Sequence, residues 1–264
     1  MARDVSKIIL ALYTAGMVFF IYAPIITMVL FSFNGSPRTV PPFDGPSLRW
    51  YEVLFSQKVV LLEAFTRSIL LAILTMVIAT PLFTFAGLAY RKRFKGDEFA
   101  FYLVTIGIIM PGITYSLGVL IFYNTLGMNV SLWTGLPVHL VWSVPWGLIL
   151  VRAMIDPNII YYEEAAKTLG ASDWQIFRRI TLPLFIPAIL GGALFAFTLS
   201  FTELIRSIFV VSPNTLPLQV LAEVTVWGVS PYIFAIGSLI VIISLALLLL
   251  AGFLLRGVFE KLQI

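Results

Sequence analysis

Long apolar runs separated by short charged stretches dominate this chain. Residues 8–37, 68–90, 180–202 and 224–255 contain no Asp, Glu, Lys or Arg. A helix needs roughly 20 residues to cross the hydrocarbon core of a bilayer, so each run is long enough to span it once. Residues 99–151 are also uncharged but too long for one span, and a cluster of Asn, Gly and Ser at Asn124–Thr134 divides them in two. Backbone amides in lipid must find partners within their own segment, which makes helices the expected form of such runs. The pattern predicts six transmembrane helices, near 8–33, 68–90, 100–123, 135–153, 184–211 and 233–255, in a single domain covering 1–264. The first run follows Arg3 and Lys7, is longer than the apolar core of a signal peptide and contains Pro24. It is expected to be a retained helix. After it, the turn formers Pro37, Pro41, Pro42, Gly45 and Pro46 lead into Ser47–Phe55, which reads as a short interfacial helix.

Composition supports the same picture. Hydrophobic residues make up 60% of the chain and charged residues 11%, where a soluble domain carries about 25% charge. With a mean hydropathy of +1.00, the chain has too little polar surface for a soluble enzyme, a nucleic-acid binder or a disordered protein. It has no cysteine, hence no disulfide framework or thiolate zinc site. One histidine, His139, cannot build a histidine metal cluster and reads as a packing residue. No nucleophile-and-base set is evident, so no catalytic residue, metal or cofactor is expected in this chain.

The positive charges are unevenly placed. The N-terminus, the 91–98 loop, the 152–179 loop and the C-terminus hold 12 of the 17 Lys and Arg residues, against four (Arg38, Arg49, Lys58, Arg67) on the other side. That asymmetry predicts cytoplasmic termini and cytoplasmic 91–98 and 152–179 loops. The group Arg91-Lys92-Arg93 with Lys95 reads as an anchor against anionic lipid.

The 152–179 loop has a shape of its own. Residues 160–169 are good helix formers, with Glu163 four before Lys167 in the order that favours an ion pair. Gly170 stands where a helix ends in a left-handed residue. Ser172 and Gln175 form a capping box that starts a second helix, and Pro183 marks the turn into the fifth span. The result is a compact helical elbow over 160–181. Ala165, Ala166 and Leu169 give it a small smooth patch suited to a partner's groove.

Glu164-Ala165-Ala166, Gly170, Ile180 and Leu182-Pro183 keep the spacing of the EAA motif, and the chain resembles the permeases of ATP-binding-cassette importers. Arg67-Ser68-Ile69-Leu70-Leu71-Ala72, Phe197-Thr198-Leu199-Ser200 and Val229-Ser230-Pro231 are similar to the spermidine/putrescine branch of that family. The resemblance implies the type I importer transmembrane-domain (MetI-like) fold and the cell inner membrane. It also implies that Glu164, Ala165, Ala166, Gly170, Ile180, Leu182 and Pro183 couple to a cytoplasmic ATP-binding subunit dimer. A second, related permease, an extracytoplasmic solute-binding protein and the lipid bilayer complete the expected partners; nucleic acid is not among them. The phosphate loop G-x-x-x-x-G-K-[ST] is absent from this chain, so ATP and magnesium are expected on the partner ATPase.

Charges inside a membrane segment are costly and tend to be functional. Glu203 and Arg206 are the only charges between Arg179 and Glu223, and at three residues apart they share a helical face. They read either as a structural pair or as part of a solute pathway. In the polyamine branch acidic residues follow F-T-L-S. Here Thr202-Glu203 stands in that place, and Arg206 replaces an apolar residue. An arginine beside the acid weakens its pull on a cation and can itself hold a carboxylate. The resemblance implies a polyamine cargo, and the departure at Arg206 keeps a zwitterionic solute such as 4-aminobutyrate open as the alternative. Prolines in the first five spans (Pro24, Pro81, Pro111, Pro145, Pro187) predict kinks. Ser200, Tyr115, Trp142 and Trp146 lie near the kinks or the charged pair and are the further pathway candidates. An ion-driven carrier would need acidic sites at mid-membrane, a membrane enzyme would need catalytic groups at a membrane face, and a non-transporting scaffold would have no use for a complete elbow.

Overall fold

A computed structural model describes the backbone of residues 2–262 and the side chains of 7–246, 249, 252 and 253. Among the described residues there is no β-strand, only a lone bridge between Asn34 and Pro46. The helices are α1 (Ala2–Ser32), α2 (Arg49–Gln57), α3 (Val59–Tyr90), α4 (Asp97–Ile109), α5 (Gly112–Thr125), α6 (Gly135–Met154), α7 (Ile159–Thr168), α8 (Asp173–Ile176), α9 (Leu182–Phe201), α10 (Leu216–Trp227) and α11 (Pro231–Leu262). A π-helical segment, Phe177–Thr181, joins α8 to α9. Among the described residues four helical runs are long and apolar enough to cross a membrane: Lys7–Ser32, Val59–Tyr90, Gly135–Met154 and Asp173–Phe201. A fifth arises if α4 and α5 count as one broken span, and the apolar α11 stands where the sixth is expected.

The chain divides into two compact units, Met1–Leu62 with Val220–Ile243, and Glu63–Gln219 with Ser244–Ile264. In the first, the expected interfacial helix is α2. It is fixed from the side chains outward: the Trp50 indole Nε1–H donates to the Asn34 carbonyl at 2.7 Å, and the Tyr51 hydroxyl lies 2.8 Å from Ser32 Oγ. Asn34 in turn organises the proline-rich loop, accepting from Asp44 N at 2.7 Å and donating to the Arg38 carbonyl at 3.1 Å.

The second unit is built on α3. A gently winding stripe at spacings of three and four residues (Ser68, Leu71, Thr75, Ala79, Phe83, Gly87) is buried along its length. Phe83 fills the space over two glycines. A Cβ on Gly147 of α6 would come within 2.2 Å of its ring, and one on Gly192 of α9 within 2.8 Å. The helices meet so closely because these positions carry no side chain. Ala79, Leu148, Val151, Phe185 and Ala188 complete this core.

Three features depart from the expected layout, each with a local cause. The span expected at 100–123 is two helices bent by 97°, because Met110 is extended (ψ 128°) ahead of Pro111, as residues before proline tend to be. The span expected at 184–211 ends at Phe201, where turns begin. Pro183 makes no turn: helix runs unbroken from Asp173 to Phe201. A proline ring clashes with the carbonyl four residues back in a regular helix, and the wider π-turn just before Pro183 accommodates it. Pro24, Pro81, Pro145 and Pro187 all lie inside continuous helices.

Candidate functional site

The elbow forms as its sequence dictates. Gly170 has φ +85°. Gly170 N–H donates to the Lys167 carbonyl and Ala171 N–H to the Ala166 carbonyl, both at 3.0 Å. Together these bonds satisfy the last carbonyls of α7 in a Schellman arrangement. Beyond its own chain neighbours, no atom of the described residues lies within 4 Å of a Cβ built on Gly170, so its requirement for glycine is conformational rather than steric. Ser172 and Gln175 exchange the capping-box bonds, 2.8 Å from Ser172 N–H to the Gln175 side chain and 3.4 Å in return.

The coupling candidates fall into two groups. Glu164, Ala165 and Gly170 are exposed and Ala166 is half-buried. Ile180, Leu182 and Pro183 are half-buried in the helical run into α9 and belong to the elbow's root. Leu169 is 88% exposed and Trp174 66%. Trp174 stacks on Phe177, with ring centroids 5.7 Å apart. It is an apolar group at the tip that the motif spacing does not single out.

The Glu163–Lys167 pair expected along α7 is replaced by longer-range contacts. Lys167 Nζ lies 3.4 Å from Asp173 Oδ1, across the elbow. Glu163 turns inward and is buried. Its Oε1 accepts from Arg91 Nε at 2.9 Å and from the Thr181 hydroxyl at 2.6 Å, and Lys92 Nζ stands 3.9 Å from Oε2. Burial pushes this carboxyl up, but the bonds from Thr181 and Arg91 and the charges of Arg91 and Lys92 outweigh it. The net position is below the ordinary glutamate range. A cleft of about 260 Å³ opens beside this group, lined by Arg91, Lys92, Glu163, Glu164, Lys167 and Asp173 among others.

A second polar cluster lies beyond α9. Glu203 and Arg206 sit in the turns after Phe201 rather than on a helix, yet they do pair. Glu203 accepts the Arg206 backbone N–H at 2.8 Å and lies 3.3 Å from its guanidinium. The guanidinium stacks on the Trp142 ring, 3.5 Å from its centroid, an arrangement in which the ring's negative face meets the cation. Trp142 meets Trp146 edge to face at 5.9 Å, and the buried Trp146 Nε1–H has no hydrogen-bond partner among the described residues. Tyr115 is half-buried and packs with the cluster of Tyr123, Val138 and Val210. Gly112, just past the 97° bend, packs so tightly that a Cβ there would meet Ile205 at 2.8 Å and Arg206 Cγ at 3.3 Å.

His139 holds this region together. Its Nδ1 is 2.7 Å from Ser200 Oγ and its Nε2 2.8 Å from Ser207 Oγ, and Ser200 donates to Thr75 Oγ1 at 3.1 Å. Four buried side chains from α3, α6, α9 and the following turn thus form one chain of hydrogen bonds. Sequence reasoning selected Ser200 but not Thr75, His139 or Ser207. A lone histidine in an apolar helix with serines far along the chain was the available signal.

Residues 60–263 match the family described as binding-protein-dependent transport system inner membrane component. The chain is 31% identical over 240 residues to the spermidine/putrescine transport system permease protein PotC of Escherichia coli (strain K12), covering 90% of each chain. It is also 31% identical over 234 residues to the putrescine transport system permease protein PotI of the same strain, covering 84% of this chain and 81% of PotI. Among solved structures, it is similar to one described as a bacterial ABC transporter involved in the import of the acidic polysaccharide alginate. That likeness has a TM-score of 0.60 at 16% identity over 97% of both chains, and speaks to the fold alone.

Proposed function

Because the chain belongs to the binding-protein-dependent transport system inner membrane components, we propose that it forms half of the translocation pathway of an ATP-driven polyamine importer. The observation that carries the cargo class is the near full-length similarity to permeases named for spermidine and putrescine. Members of such systems work with an ATPase and a solute-binding protein. In this reading the exposed face of the elbow, with Glu164, Ala165, Gly170, Leu169 and Trp174, docks on a cytoplasmic ATP-binding subunit dimer. Closure of that dimer on ATP moves the elbow, and the membrane helices alternate between outward and inward access. The sister subunit is a second, related permease. The charge asymmetry supports cytoplasmic termini.

A second reading concerns the solute alone. Glu203 is already neutralised by Arg206 at 3.3 Å, and a guanidinium can hold a carboxylate. A zwitterion such as 4-aminobutyrate fits that pair. The deciding experiment is ATP-dependent uptake of putrescine, spermidine and 4-aminobutyrate into proteoliposomes holding the full importer. For a polyamine importer, putrescine and spermidine enter at least about tenfold faster than 4-aminobutyrate, the equivalent of about 1.4 kcal/mol of discrimination. Preferred uptake of 4-aminobutyrate would select the second reading, and ATP-independent uptake would reject both.

A further inference from the structure

Glu163 behaves unlike the glutamate beside it. Glu164 is exposed, as a docking carboxylate should be, whereas the Glu163 side chain is 8% exposed. A buried carboxylate costs free energy unless charge and hydrogen bonds compensate it. Here the compensation comes from two distant elements: Arg91 at the end of α3, 72 residues away, and Thr181 in the π-segment that leads into α9, 18 residues away. Both donate to the same oxygen. Arg91 is itself held, its guanidinium donating to the Leu88 carbonyl at 2.7 Å. One carboxylate therefore ties the elbow to the ends of two membrane helices.

We infer that Arg91, Glu163 and Thr181 form the joint through which movement of the elbow passes to α3 and α9, making Glu163 a positioning residue for transport rather than part of the docking face. The inference rests on the reading of the elbow as the docking element. The stripe on α3 gives the joint something rigid to push. Moving back from Arg91 in steps of four, Gly87 has no room for a Cβ, which would fall 2.4 Å from Val151 and 3.8 Å from Phe185. Phe83 is locked over Gly147 and Gly192, Ala79 is fully buried, and Thr75 accepts the bond from Ser200. From Arg91 to Thr75 is 16 residues, about 24 Å of helix. Close-packed interiors transmit displacement instead of absorbing it. The far end of this rod is the Thr75, Ser200, His139 and Ser207 chain, where Ser207 Oγ also donates to the Glu203 carbonyl at 3.1 Å. The joint at the membrane surface and the polar cluster beyond α9 thus share one helix.

The test uses the full importer in proteoliposomes with its solute-binding protein and radiolabelled putrescine. Three quantities are read: ATPase subunit retained, ATP hydrolysed, and putrescine taken up per ATP. For Glu163→Gln we expect full retention of the ATPase and hydrolysis within about twofold, with uptake per ATP lowered about tenfold, within the usual range of coupling between sites. Thr181→Val removes one hydroxyl without changing shape and should lower uptake per ATP about threefold. It keeps the test open if Glu163→Gln fails to insert. The exchanged pair Arg91→Glu with Glu163→Arg should recover part of what either single change loses. Wild-type uptake per ATP in both Glu163→Gln and Thr181→Val would overturn the joint. So would loss of the ATPase subunit from these variants, since that places Glu163 in the docking surface. If the elbow reading itself is wrong, the unmutated chain will not hold an ATPase through the elbow, and Leu169→Glu with Trp174→Glu will leave retention unchanged.

Discussion

Two arginine–glutamate pairs, each with a buried carboxylate, occupy opposite kinds of structure in this protein. Arg91 and Glu163 are 72 residues apart and meet only because α3, α7 and the π-segment converge. Glu203 and Arg206 are three residues apart in one turn, with a backbone bond of 2.8 Å already joining them. The first pair depends on the fold, and the second is assembled locally. Their ties to neighbouring elements differ too. Glu163 makes directional hydrogen bonds to two other elements, whereas Arg206 reaches α6 through the face of Trp142. The same two residue types can therefore serve as a strut at one place and as a self-contained polar group at another.

The largest effect expected from breaking this comparison is at Arg91. Arg91→Ala leaves the Glu163 carboxylate buried without its guanidinium, and removing one partner of a buried pair typically costs about 3–5 kcal/mol. Arg91 is one-fifth exposed, so the lower end of that range applies. Thermal unfolding in detergent should show a loss of this size for Arg91→Ala. A loss below about 1 kcal/mol would mean that Lys92, at 3.9 Å, replaces the arginine.

A smaller effect is expected at the Glu203–Arg206 pair. Arg206→Gln and Glu203→Gln each remove one charge from a turn that keeps its backbone bonds, so each should cost about 1–3 kcal/mol. The double substitution should recover part of the sum, with a coupling energy of about 0.5–3 kcal/mol, as for residues in contact. Additive losses in that cycle would show that the two side chains do not sense each other. The pair would then be ruled out as a single locally assembled group.

What could be read from the sequence divides along the same line. The two caps of the elbow were legible, because a glycine C-cap and a capping box are local and use neighbouring residues. Its close was not, since Pro183 makes no turn and Glu163 bonds Arg91 and Thr181 instead of Lys167. The α3 and α6 spans were legible because hydropathy is cumulative over a helix. The break at Pro111 was harder. Pro24, Pro81, Pro145 and Pro187 stay within continuous helices, and what distinguishes Pro111 is Gly112 behind it, pressed against Ile205 and Arg206. The end of α9 at Phe201 was not legible, since Leu204 through Val211 are mostly apolar, and the turns show only in the folded chain's bonds, among them Glu203 to Arg206 and Ser207 N–H to the Leu204 carbonyl. Arg91 read as a lipid anchor and His139 as a packing residue for one reason. Their partners lie tens of residues away and leave no periodic trace in the chain.

The smallest effect expected is that of pH, and its sign separates two accounts of Glu163. Burial alone would raise the carboxyl, and mild acidification would then relieve a buried charge and stabilise the folded wild type relative to Glu163→Gln. The hydrogen bonds from Thr181 and Arg91, with the charges of Arg91 and Lys92, instead bring it below the ordinary value, about 4.3 for glutamate. A group whose value is lowered on folding contributes stability that is fully present above its unfolded value. That stability is lost only as pH falls through the lower, folded value. The difference in melting temperature between the wild type and Glu163→Gln should therefore stay constant from pH 8 to pH 5, and shrink only on further acidification. A wild type that instead gains on Glu163→Gln between pH 7 and pH 5 would show that burial dominates. Arg91 would then hold Glu163 more weakly than the 2.9 Å contact indicates, and the contrast between strut and self-contained pair would fail at its first member.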